Sequence, residues 1–337
     1  MGRRRRGGGS WGGHEAGQAF YYAGHLTRIS ALPVLAGRSP LRSGSRNPRQ
    51  LTRPSECLPS LFARARRRAR RGAVVGHSGN LWAPDGARVV CIGHSHSEVV
   101  KAAAEAAGAP VEVYNFWHLT DPLATEGGVV RLAPWLAERM RAPVFSLIGG
   151  AVHHDIGLLE HPRAWDVVVP KYAGLPVAEG AEIVPYGAVR ANILERLQPY
   201  FGIMDAVRDV VEGDVYQLQS PPIYAGDVVP GDDPGWDGYH GAGRRMSFPW
   251  LRWKLRWMQS ELIAARCGER GIGYVTCPAE AVDAEGFMRA GFAGSPGHAN
   301  VLYGGLLLEQ IFRLTGSGAY GPSGVQGQSP WPSSSGV

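Results

Sequence analysis

Ser95 lies between two histidines, His94 and His96, in the stretch Ala87–Val100, ARVVCIGHSHSEVV. Further along come an adjacent pair, His153-His154, and a lone His298 in GFAGSPGHANVLYGG, residues 291–305. Acyl transfer needs a hydroxyl nucleophile, a base within hydrogen-bond reach, and a group that orients the base. Serine supplies the first, and imidazole can take and return a proton near neutral pH. The same residues admit two other readings. A serine at a helix start is also an ordinary N-cap. Five histidines with Asp155 also carry enough nitrogen and oxygen for a divalent metal, which would activate water directly. The His153-His154 and His94/His96 spacings match no zinc motif. No metal and no cofactor is therefore assigned, and His94, His96, His153 and His154 are the residues that would hold a metal.

These side chains need elements to position them. Val89–Ile92 is a short β-branched run closed by Gly93 and predicts a buried strand. From Ser97 the apolar spacing becomes helical, over an alanine-rich segment to Ala107. His94, Ser95 and His96 then occupy a strand-to-helix turn, which raises side chains above the carboxyl edge of a parallel sheet. Backbone N–H groups at such a turn are suited to an oxyanion. Further strands are expected at Val111–Asn115, Pro143–Ile148, Val215–Gln219 and Ile272–Cys277, with Trp165–Pro170 as a strand or edge segment. Helices are expected at about Ala133–Arg141, Ala188–Leu197 continuing after a break near Pro199 through Ile203–Val211, Trp250–Cys267 and Val301–Leu314. Tyr224–Gly243 reads as a long loop, with Asp232, Asp233 and Asp237 as solvated turn residues. Alternating strands and helices predict one α/β domain, a three-layer doubly wound sheet with five mainly parallel strands, flavodoxin-like.

Charge is unevenly distributed. Residues 1–72 hold 16 arginines against Glu15 and Glu56, whereas the remainder holds 19 basic and 27 acidic residues, so the net +6 misrepresents the folded part. Residues 1–72 predict a disordered Arg/Gly-rich extension, untranslated or removed; residues 73–316 predict the α/β domain; residues 317–337 predict a disordered tail. The acidic domain argues against nucleic-acid binding. There is no run long enough to span a membrane and no convincing secretory signal, so a cytoplasmic location is expected by default. Four cysteines without CxxC spacing are expected to be buried thiols, Cys91 and Cys277 on strands. Trp250, Trp253 and Trp257 recur at three and four, a core stripe, with Arg252 and Arg256 as a solvated face. Trp117 and His118 either line the cleft or pack under a loop.

The ordered blocks resemble the SGNH/GDSL hydrolase superfamily over roughly Arg88 to Leu314. GHSH stands where that family has GDSL or a relative, so Ser95 matches its nucleophile. The strand followed by GGAVHH matches its third block. HAN followed by YG and an apolar helix matches its last block, so His298 matches its base. Gly127 and Gly128 are candidates for the second-block glycine. The chain departs from the pattern at three positions. Ala151 stands where the family has an oxyanion-hole Asn, Ser295 where it has an acid three residues before the His, and His94 where an Asp or Asn precedes the nucleophile. Losing a triad carboxylate costs about 10⁴-fold in kcat. Losing an oxyanion donor costs about 10²–10³-fold. Candidate substitutes are Gly150, Asn115 and His153 for the oxyanion, with His154 beside it, and Ser295 for orienting the imidazole.

The resemblance implies a serine ester hydrolase or acyltransferase acting on a carboxyl ester of a small molecule or carbohydrate, O-acetyl groups included. Ala151 and Ser295 favour an alternative, a catalytically inactive binding module of the same fold. The histidines favour a second, a metal-dependent hydrolase. Oligomeric state is not legible in the sequence.

Overall fold

The computed structural model describes residues 86–140, 143–226, 245–294 and 297–316. The expected extension and tail, Cys57, Ser295 and most of the Tyr224–Gly243 loop with its aspartates lie outside these residues.

Strand β1, Val89–Gly93, is followed by helix α1, Ser97–Ala107, and strand β2, Val111–Asn115. A small hairpin of β3, Leu123–Glu126, and β4, Val129–Leu132, precedes the short helix α2, Pro134–Ala137. Then come β5, Val144–Leu147, α3, Val152–Gly157, β6, Trp165–Asp166, β7, Glu182–Ile183, and the long α4, Tyr186–Val210. Strand β8, Val215–Leu218, helix α5, Pro249–Arg270, strand β9, Gly273–Val275, and helix α6, Val301–Leu314, complete the chain order. The main sheet has the order β2-β1-β5-β8-β9 with every pair parallel. Counting only its own strands, that is 2-1-3-4-5, the doubly wound order with a switch point between β1 and β5. The α/β expectation holds.

β1 shows how sequence becomes layers. All five of its residues are buried, so it reads as a continuous apolar run rather than an alternation. Val89 and Cys91 enter a core shared with Val100 and Ala104 of α1 and Tyr303, Leu307 and Ile311 of α6. Val90 and Ile92 enter the opposite core, shared with Ile193 and Leu197 of α4 and Leu255 and Met258 of α5. Each fully buried aliphatic side chain contributes about 1.5–3 kcal/mol. Helices α1 and α6 approach closely at Gly304, where a Cβ would fall 2.0 Å from the Val99 carbonyl oxygen.

Several expectations need correction. Pro199 does not break α4, which runs unbroken past it. Its buried stripe (Val189, Ile193, Leu197, Phe201, Met204) continues through the proline, and both Pro199 and Glu195, whose carbonyl loses its i+4 donor, are exposed to water. Gly127 and Gly128 both have positive φ (57° and 84°) and turn the β3–β4 hairpin. The helix expected over Ala133–Arg141 is only the turn Pro134–Ala137, and of Trp165–Pro170 only Trp165 and Asp166 form strand pairs, with Glu182 and Ile183.

A further correction concerns α5. Arg252 and Arg256 are not solvated: they are buried, as is Lys254 between them. Over residues 251–260 chain wraps this helix on every side, so each cation is met by acceptors. Arg252 donates to the carbonyls of Ser247 (3.0 Å), Tyr224 (2.8 Å) and Gly226 (3.3 Å). Arg256 donates to those of Ser220 (2.6 Å) and Pro221 (2.6 Å). Lys254 pairs with Asp166 at 3.0 Å and donates to Pro176 O at 2.8 Å. The tryptophan stripe is in the core as expected, with Trp253 and Trp257 buried. Cys91, Cys267 and Cys277 are buried free thiols. Among the described residues no helix is long and apolar enough to cross a membrane.

Candidate active site

The β1–α1 turn forms as the local sequence requires. Ser97 donates from both its N–H (2.9 Å) and its hydroxyl (2.7 Å) to the His94 carbonyl, and Glu98 N–H donates to the Ser95 carbonyl at 3.1 Å. The N-cap residue is His96, without a side-chain cap bond. Ser97 and backbone carbonyls therefore close the turn, and capping does not account for the Ser95 hydroxyl. Ser95 itself is 8% exposed.

His94 sits in an aromatic setting, with ring centroids 5.7 Å from Phe116, 6.0 Å from Trp117 and 5.4 Å from Tyr200. Burial there pushes its pKa down to about 4, so it is neutral at pH 7. Asn115, buried at the end of β2, donates from Nδ2 to Glu98 Oε1 at 2.5 Å and accepts from Trp117 N–H at 3.0 Å. Its amide is thus engaged within the β2 edge. His118 lies beside the same carboxylate, 3.5 Å from Glu98 Oε1.

The turn after β5 is held from a distance. The Gly150 carbonyl accepts from Ser220 Oγ at 2.7 Å and from Gln259 Nε2 at 3.0 Å. Because that amide nitrogen donates to a carbonyl, Gln259 Oε1 is the acceptor on its other side. It receives the His153 backbone N–H (2.7 Å) and His153 Nδ1 (3.0 Å). His153 therefore carries its proton on Nδ1, and its buried Nε2 has no hydrogen-bond partner among the described residues. Burial, opposed by the Gln259 bond and aided by Arg256, brings its pKa to about 3.

Four histidines converge at this edge. His154 lies 3.9 Å, ring to ring, from His153 and 6.4 Å from His96, and His96 lies 5.4 Å from His298 at an interplanar angle of 79°. His298 is on the loop before α6. That loop is closed by Gly294 N–H to the His298 carbonyl (3.0 Å) and by Asn300, which caps α6 through Leu302 and Tyr303 N–H. Burial first, then the neighbouring imidazoles, hold His96 and His154 well below the usual histidine range. His96, His153 and His154 are thus neutral donors and acceptors at pH 7. Among the described residues, no three His, Cys, Asp or Glu side chains are placed to share a metal ion.

The topology thus gathers Ser95, His298, Gly150 and His153 at the carboxyl end of the sheet, with Asn115 at its β2 side. Gln259 and Ser220 were not anticipated. Arg252, Arg256 and Gln259 recur at four and three along α5; the two arginines were expected to be solvated, but all three bind loop carbonyls instead.

No protein-family model matches the chain, and no curated protein matches it significantly. Among solved structures it is similar to a protein from Bacteroides fragilis assigned as an acylhydrolase: 11% identity, TM-score 0.34, covering 70% of this chain and 92% of that one. It is also similar to a carbohydrate acetylesterase from Sinorhizobium meliloti: 13% identity, TM-score 0.32, covering 68% of this chain and 98% of that one. At scores this low the likeness bears on neither mechanism nor substrate.

Proposed function

We propose that this protein is a serine ester hydrolase or acyltransferase with Ser95 as nucleophile and His298 as base. One observation carries the reading. The residue after Ser95, His96, packs against the ring of His298 although the two are some 200 positions apart, which supports a site that draws on both turns. In this mechanism Ser95 Oγ attacks the acyl carbonyl carbon while His298 accepts its proton. The tetrahedral oxyanion is held by backbone N–H groups of the Ser95 turn and of the Gly150 turn. As the C–O bond to the alcohol breaks, His298 returns the proton to the leaving oxygen, leaving an acyl-Ser95 ester. Water, or an acceptor hydroxyl, then attacks that ester with His298 again as base. A small carboxyl ester, such as a carbohydrate O-acetyl group, is the substrate class.

The test is fluorophosphonate labelling of the full chain, wild type against Ser95→Ala, with hydrolysis of p-nitrophenyl acetate measured alongside. Labelling and turnover that vanish together in the variant are expected. Equal labelling of the variant overturns the assignment. Absence of labelling in wild type shown to be folded by circular dichroism leaves the inactive binding module, the reading that Ala151 and Ser295 favour.

A further inference from the structure

We infer that His96 is a positioning residue for the base, fastening the Gly297–His298 turn to the nucleophile turn; this rests on the reading of Ser95 and His298 above. Three contacts converge on its ring. Its Nε2 lies 3.4 Å from the Gly297 carbonyl. That oxygen can only accept, so Nε2 carries the proton and donates. The His298 ring stands nearly perpendicular to His96 at 5.4 Å. On the opposite side Nδ1 lies against Gly150, where an added Cβ would be only 2.6 Å away.

Two glycines make this wedge fit. Gly150 must lack a side chain to admit the His96 ring. Gly297 has φ +76°, and a Cβ there would come within 2.7 Å of the His154 ring. The base turn is therefore held between two imidazoles, with His96 fastened to it by a hydrogen bond. One ring links the nucleophile turn, the Gly149-Gly150 turn and the base loop. It does so as a neutral group, so it adds no charge against an imidazolium forming on His298. It acts through His298, and the reacting atoms do not require it to donate or accept a proton.

A ring that merely filled space would be replaceable by another ring, whereas a positioning donor would not. The decisive series is His96→Phe, His96→Gln and His96→Asn, read by the second-order rate constant of fluorophosphonate labelling at Ser95 and by the kcat and KM for p-nitrophenyl acetate. Glutamine sets an N–H near the Nε2 position, and asparagine sets one near Nδ1, on the Gly150 side. A misplacement on the order of 1 Å costs about 10²-fold. Phe and Asn are expected to slow labelling by tenfold to a hundredfold, with the loss in kcat and KM nearly unchanged, and Gln is expected to stay within a few-fold of wild type. Wild-type labelling in His96→Phe overturns the inference and leaves the Ser95 assignment standing. If the Phe variant does not fold, equal rates for Gln and Asn overturn it instead. A folded wild type with no label at Ser95 overturns both.

Discussion

Adjacent glycines in α6 should respond to the same substitution with opposite signs. Gly304 is pressed against α1: a Cβ there would sit 2.0 Å from Val99 O, 2.7 Å from Val99 C and 3.1 Å from the Ala103 Cβ. The atoms at fault are helix backbone, so no side chain can rotate away, and reaching ordinary contact needs the helices to part by more than 1 Å. Overpacking of this severity costs about 3 kcal/mol, against which alanine regains about 1 kcal/mol of helix propensity. Gly304→Ala is therefore expected to destabilise by about 2 kcal/mol, lowering Tm by roughly 4–8 °C for a domain of this size. Among the described residues, a Cβ at Gly305 would meet nothing within 4 Å. Gly305→Ala keeps only the propensity gain, up to about 1 kcal/mol, and should raise Tm by roughly 2–4 °C. The pair also reads out the site. Helix α1 begins two residues after Ser95 and α6 three after His298, so separating them separates the Ser95 and His298 turns. Ser95 labelling should slow in Gly304→Ala and not in Gly305→Ala. Calorimetry and urea denaturation of both variants suffice; equal shifts of the same sign would refute the α1–α6 packing described here.

Acid should destabilise the protein through histidines that fold neutral. His153 has its pKa lowered to about 3, so below about pH 6.5 the unfolded chain binds a proton that the folded chain refuses. The stability it contributes is complete above that pH and declines as pH falls, by about 2 kcal/mol at pH 5. His153→Asn keeps a donor to Gln259 without the titration, and urea midpoints between pH 7 and 5 should flatten; unchanged pH dependence would count against the buried neutral tautomer. Lys254→Met strands the buried Asp166 carboxylate and should cost about 3–5 kcal/mol. Adding Asp166→Asn should recover part of that loss, and a double variant no more stable than the single would show that the pair is not the source.

The parts of the fold legible in the sequence were those set by local physics. Apolar runs ending in glycine gave β1 and β5, and α6 begins and ends where its spacing and Asn300 place it. What escaped was set by what packs above an element. Whether Pro199 ends a helix depends on the stripe beneath it, and whether Arg252 is solvated depends on loops 26 to 28 residues away in sequence. The site divides the same way. The turn around Ser95 and the loop around His298 carry their own punctuation. Gln259 holds Gly150 across 109 positions, and nothing local marks a glutamine in a helix as the anchor of a distant turn.

The cations of α5 have a consequence for how this chain can change. Arg252 and Arg256 fasten the segment 220–226 and Ser247 through main-chain carbonyls, which every amino acid possesses. The anchorage is therefore indifferent to the side chains it secures. Sequence drift in that segment leaves its path intact as long as the two arginines persist. Ser220 alone is tied by its side chain, to Gly150 and Gln259; the rest of the segment can thus accumulate new side chains while its backbone stays in register with the turn that Gln259 supports.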